Sequence, residues 1–306
     1  MARILVRAGA LFDGYRLREG VDLVVEDGVV CVGSRSGPFD RAVEAACAVP
    51  GLVDAHVHLP YDGRPGVFYD SVANVIRLFR MHGVLGVRDC GNFLENISLF
   101  RSVDPGLHID CSYAVEKPPL HWPHMRPVGS ARDVAGEVEK ARVEGCRWLK
   151  LYVNVDENLA REAVARAHEN GLRVTGHVDG IGVLKAIELG FDCIEHIDSI
   201  AKLRPGAGLL ESWEAIDEGT LEEIARRLAR RGTAVVPTFS VYRAAVGKLR
   251  VDKRKYSKLV SPWYKYLAKT KRKEVRKVYL KLVTALRILS ENRVKIVAGP
   301  TCLTLP

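Results

Sequence analysis

The chain has 306 residues, 47% hydrophobic and 27% charged, with a formal net charge of +9 at pH 7. That length suits one barrel of about 250 residues plus a small appendage, and the composition excludes disordered and fibrous classes. No stretch reaches the ~20 apolar residues needed to cross a bilayer, and Arg7 and Asp13 break the first apolar run, so no signal peptide is read and a cytoplasmic protein is expected.

Residues 3–49 alternate apolar and polar positions, as in VDLVVEDGVV, with Asp-Gly and Ser-Gly breaks. This predicts short strands and turns, a first domain over 1–49. From Pro50 the pattern changes to short β-branched runs: LVDAHVHL, VLGVRD, LHIDCSYA, RWLKLYV, LRVTGHV, FDCIEHI, TAVVPTF and VKIVAG. Helix-period segments lie between them, among them SVANVIRLFRMHG, ARDVAGEVEKARVEG, LAREAVARAHENG and TLEEIARRLARRG. Each of these four closes on a glycine, the usual C-terminal stop. Eight strands alternating with helices predict an α/β protein, with a (β/α)8 TIM barrel over 50–306. A doubly wound open sheet alternates in the same way, and the placement of the chemistry has to separate the two.

Two stretches read as irregular: the Pro-rich loop Glu116–Ser130 and the basic run from Arg243 to about Arg276. Between Tyr242 and Lys295, 18 Lys/Arg face three acids, a balance of +15, so the rest of the chain carries −6. A solvated helical face explains this block more simply than nucleic-acid binding, because no RNA-binding signature accompanies it. The seven scattered cysteines contain no CxxC pair and read as small core residues, not as a zinc ribbon or a disulfide framework.

The sharpest signal is His56-Val57-His58 at the end of an apolar strand. Alternate strand residues share a side, so the two imidazoles are presented together. A lone histidine there is usually a core residue, whereas a pair at this spacing points to a metal. His177 and His196 close two later strand runs, and barrel strands converge at their C-terminal ends, so all four can meet around one ion. Lys150 lies inside the apolar run RWLKLYV, where a charged amine is costly. It either pairs with a carboxylate, reaches the rim, or has captured carbon dioxide as a carbamate.

PGLVDAHVHL, GVLGVRDCG, GCRWLKLYV, VTGHVDG and DCIEHID resemble, in order, the blocks of the amidohydrolase superfamily, in its imidazolonepropionase-like and prolidase-like branch. The resemblance runs from about Leu5 to Gly299. It implies a TIM barrel with a small β-sandwich appendage and a site of one or two divalent metals, normally zinc. His56, His58, His177 and His196 would be ligands, bridged by a carbamate on Lys150. It further implies hydrolysis of a C–N bond by a metal-bound hydroxide, with a small molecule as substrate: a cyclic amide, a dipeptide or an N-acyl amino acid. Tyr242 matches a tyrosine that contacts the substrate carbonyl in prolidase-like relatives. His121, Trp122 and His124, in the loop on the active face, are candidates for substrate contact.

The resemblance breaks at the eighth strand. There the family carries Ala-Gly-Thr-Asp, whose aspartate binds metal and shuttles the proton, and this chain carries Ala298-Gly299-Pro300-Thr301. One lost adenine would turn GGG ACC GAC, Gly-Thr-Asp, into Gly-Pro-Thr. The C-terminal part of barrel and sandwich is accordingly expected to be missing. An exposed barrel edge would then favour a homo-oligomer. The alternative is a catalytically impaired, metal-binding relative.

Overall fold

The computed structural model describes residues 2–33, 37–59, 69–247 and 272–299. The chain divides into two compact units, Met1–Leu52 and Val53–Pro306.

In the first unit, β1 (Ile4–Phe12), β2 (Leu17–Glu26), β3 (Val29–Val32) and β4 (Arg41–Ala48) form one sheet in the order β3-β2-β1-β4. Only the β1–β4 pairing is parallel. The Asp-Gly break closes the β2–β3 hairpin, with Asp27 at φ 53° and Gly28 at φ 77°. Two positive φ values in a two-residue loop are what the twist of paired strands favours.

The second unit is a barrel. Its strands are β5 (Leu52–Val57), β6 (Val84–Asp89), β7 (His108–Glu116), β9 (Trp148–Leu151), β10 (Arg173–Gly176), β11 (Cys193–Glu195) and β12 (Ala234–Val236). They lie side by side in chain order, and a two-residue strand, β8 (Arg126–Pro127), pairs with β7 inside the Pro-rich loop. The eighth predicted strand, VKIVAG, is not a regular strand but a single parallel bridge, Val235 to Ile296. It still closes the ring. Val235 N donates to Lys295 O, Val297 N to Val235 O, and Ala55 N to Ala298 O, so the segment spans from β12 back to β5. Closure settles the choice between barrel and open sheet.

The four singled-out helical segments form α1 (Tyr69–Met81), α3 (Ala131–Val143), α4 (Glu157–Glu169) and α7 (Glu218–Arg231). Ser130, Asp156 and Asp217 cap the last three by accepting from a backbone N–H three residues on, which satisfies an orphan donor of the first turn. In α7 the buried Leu221, Ile224, Ala225 and Leu228 recur at i, i+3, i+4 and i+7, the stripe that packs on a barrel. Five further α-helices, α2 (Leu94–Val103), α5 (Val183–Leu189), α6 (Leu209–Ala215), α8 (Phe239–Ala245) and α9 (Arg272–Glu291), and a 3-10 turn at Ile197–Ala201 complete the described residues. Most of the basic run from Arg243 lies outside the described residues, but its end is not irregular: α9 starts at Arg272 and buries Val275, Val278, Leu282, Ala285 and Leu289.

One reading of the cysteines is corrected. Cys111 on β7 and Cys146, two residues before β9, are disulfide-bonded across a 35-residue separation. β7 and β9 are hydrogen-bonded neighbours, with Ser112 opposite Trp148, which brings the two sulfurs together. Cys90 and Cys193 are free and buried, as core residues should be.

Candidate metal centre

All four singled-out histidines meet at the C-terminal ends of the barrel strands. His56 sits on β5 and His58 just beyond it, while His177 and His196 are the first residues after β10 and β11. Ring centroids are 4.8 Å apart for His56–His196, 4.7 Å for His177–His196 and 5.3 Å for His56–His58. Glycine at 176 is required for this approach, because a Cβ there would collide with the Leu151 carbonyl of β9. At Gly299 a Cβ would stand 2.8 Å from the His56 Cβ, so the closing segment also presses on the site.

Fixed hydrogen bonds orient the rings. His56 Nδ1 lies 2.7 Å from Glu195 Oε2, and His58 Nδ1 lies 3.3 Å from the Gly91 carbonyl. A carboxylate and a carbonyl only accept, so both rings carry their proton on Nδ1 and keep a lone pair on Nε2. His196 Nδ1 is 2.8 Å from Thr238 Oγ1, and both residues have positive φ, 65° and 44°. Such backbone is costly for a non-glycine residue, most of all for β-branched threonine, and it gathers at functional sites. Asp89 pins the end of β5 from below: its carboxylate accepts from Leu59 N at 2.7 Å and Gly91 N at 2.8 Å.

Burial pushes His56 down to about 4, and it likewise holds His58, His177 and His196 below the ordinary histidine range. The charge on Lys150 works in the same direction on all four. The rings are therefore neutral near pH 7, the form that binds metal. His56 Nε2 is buried and makes no hydrogen bond among the described residues. A buried lone pair without a donor, facing other neutral imidazoles, fits a divalent transition ion.

Lys150 is 1% exposed, and its Nζ donates to the Cys90 carbonyl at 2.8 Å. It also stands 5.5 Å over the ring of Tyr152, whose own ring is 4.4 Å from His177. The side chain thus points into the barrel beside the histidines, not out to the rim.

A second grouping, His56, Cys90 and Glu195, has potential ligand atoms within 4.8 Å of one another. It is a poor metal site. Glu195 Oε1 accepts from Arg88 Nη2 at 2.5 Å and from Thr175 Oγ1, and Oε2 accepts from His56, so both oxygens are already engaged. Burial opposes ionisation of this carboxyl, yet Arg88 and then His56 hold it well below the usual carboxylate range. Burial pushes the Cys90 thiol up to about 12, which disfavours the thiolate in the metal-free chain.

Solved structures that the chain resembles include the A. niger ochratoxinase (TM-score 0.66, 16% identity, covering 98% of this chain and 76% of that one). An amidohydrolase (0.68, 19%, 99% and 79%) and bottromycin amidohydrolase (0.65, 22%, 99% and 68%) also match. The chain shares the barrel fold of these structures. Among curated relatives, uncharacterized proteins of Mycobacterium tuberculosis and Mycobacterium bovis are each 28% identical over 243 residues, 71% of this chain. The match spans 57% of the length of those relatives. No protein-family model matches the chain.

The remaining candidates are spread around the mouth. Tyr242, on α8, donates its hydroxyl to Asp198 at 2.5 Å. Burial and then Asp198 raise the phenol well above its ordinary value, so it stays a donor. Asp198 and Asp179 both pair with Lys202, at 3.2 and 2.6 Å, and Asp179 faces His177 Nδ1 at 3.7 Å. His121 is anchored by the fully buried Glu116, which accepts from its backbone N and its Nδ1, each at 2.7 Å. Trp122 donates to the Tyr152 hydroxyl at 2.9 Å. His124 lies deeper, 4% exposed, against Gly91 and the ring of Phe93. Thr301 lies outside the described residues.

Arg88, Thr175 and Glu195 escaped the sequence reading. The signal that exposed Lys150, a charge inside an apolar strand, is equally present in VLGVRD and FDCIEHI.

Proposed function

We propose that the chain is a metal-dependent hydrolase of C–N bonds in a small molecule: a cyclic amide, a dipeptide such as Xaa-Pro, or an N-acyl amino acid. The observation that carries this reading is the cluster of four neutral histidines, one with an unpartnered buried nitrogen, on the active face of an amidohydrolase barrel. His56, His58, His177 and His196 would hold one or two divalent ions, zinc by family habit, with Lys150 as the bridging carbamate. A divalent ion held there polarises a carbonyl and acidifies water.

The chain's own groups do the rest. Tyr242 offers a protonated phenol, which after leaving Asp198 can donate to the oxygen that gains charge as the carbonyl is attacked. His121, with Nδ1 committed to Glu116, presents Nε2 beside Tyr152 and Trp122 as a wall for the substrate. His124, against Gly91 and Phe93, is a further candidate for substrate contact. Among the described residues no helix is long and apolar enough to cross a membrane, and a cytoplasmic, homo-oligomeric enzyme remains the expectation.

A second reading is favoured by one observation, threonine at position 301 where the family's aspartate is expected. It is a metal-binding relative with impaired catalysis. Turnover of a panel of dipeptides, N-acyl amino acids and cyclic amides by the zinc-loaded chain separates the two. The hydrolase reading predicts slow hydrolysis that disappears on chelation and in Lys150→Ala. Stoichiometric metal with no turnover of any panel member would favour the impaired relative.

A further inference from the structure

We infer that Glu195, clamped by Arg88 and Thr175, is the positioning residue that locks His56 in its Nδ1–H tautomer and aims Nε2 at the metal. The inference rests on the metal reading above for its purpose, but the tautomer itself is a property of the metal-free chain.

Three side chains engage the Glu195 carboxylate. Glu195 is completely buried and sits one residue before His196, at the end of β11. Its three partners come from three other strands: His56 on β5, Arg88 on β6 and Thr175 on β10. Arg88 is itself held further, by donating Nε to the Ala55 carbonyl at 2.7 Å and by stacking 4.5 Å over Trp148. These bonds hold the carboxylate in place with Oε2 turned to His56, where it accepts the Nδ1 proton. A buried imidazole without that acceptor would be free to carry its proton on Nε2, where it blocks metal binding. Carboxylates that orient ligating histidines in this way are worth about 10–100-fold in metal affinity.

The test is Glu195→Gln in the full chain, read two ways. Nitrogen-15 NMR of the metal-free protein reports the His56 tautomer, and zinc titration reports the dissociation constant. The expected result is a pure Nδ1–H tautomer in the unsubstituted chain, a mixed or Nε2–H tautomer in Glu195→Gln, and zinc binding weakened about 10–100-fold. If the glutamine variant does not fold, Glu195→Asp, which keeps the charge but shortens the reach, is read in its place with the same expectation. An Nε2–H tautomer in the unsubstituted chain would overturn the inference, and so would a substituted chain that keeps both tautomer and affinity. Should the unsubstituted chain take up no zinc at all, the metal reading fails while the tautomer comparison still decides whether Glu195 positions His56.

Discussion

Replacing His56 and His58 together with alanine is expected to bring bound divalent metal to background and to lower the melting temperature by about 5–10 °C. An ion that binds only the folded chain stabilises it by about 2.7 kcal/mol at 100 times its dissociation constant. For a barrel of this size each kcal/mol shifts the midpoint by about 2–4 °C. Part of any loss would come from packing, because His56 is fully buried and its removal leaves Glu195 Oε2 without its donor. Chelating the unsubstituted chain separates the contributions: the drop on chelation measures the metal, and the remaining difference measures the cavity and the orphaned oxygen. Metal content that survives the double substitution would place the ion elsewhere.

The second large effect is a gain. Thr301→Asp is expected to raise the turnover of the zinc-loaded chain by about 10²–10⁴-fold, the usual worth of a positioned general base. A threonine hydroxyl cannot take a proton near neutral pH, and position 301 follows two residues after Gly299, which packs against His56. Thr301→Asn is the control, since it matches aspartate in size but carries no charge. Equal rates for the aspartate and asparagine variants at full metal loading would show that position 301 has no part in proton transfer.

The histidines and Lys150 were legible because they interrupt apolar strands, and a polar group in such a run must have a reason. Barrel topology then brings the strand ends together without any knowledge of contacts. The Glu195 network was harder to read, since its bonds link residues 107 and 139 positions apart and depend on which side chains point inward at the same level. The Cys111–Cys146 bond depends in the same way on strand register. The closing segment is a different case. VKIVAG has the composition of a strand, yet among the described residues its pairing with β12 is reduced to one bridge, and a single hydrogen bond from Ala55 joins it to β5. Short helices such as α5 and α6, at seven residues each, hold too few turns for a period to stand out.

The proposed function puts the ion on the histidines and not on the neighbouring His56–Cys90–Glu195 grouping. X-ray absorption at the zinc edge of the loaded chain tests this most directly. The account predicts a first shell of nitrogen and oxygen at about 2.0–2.1 Å with no sulfur. A sulfur shell at about 2.3 Å would put a cysteine thiolate on the metal and contradict it.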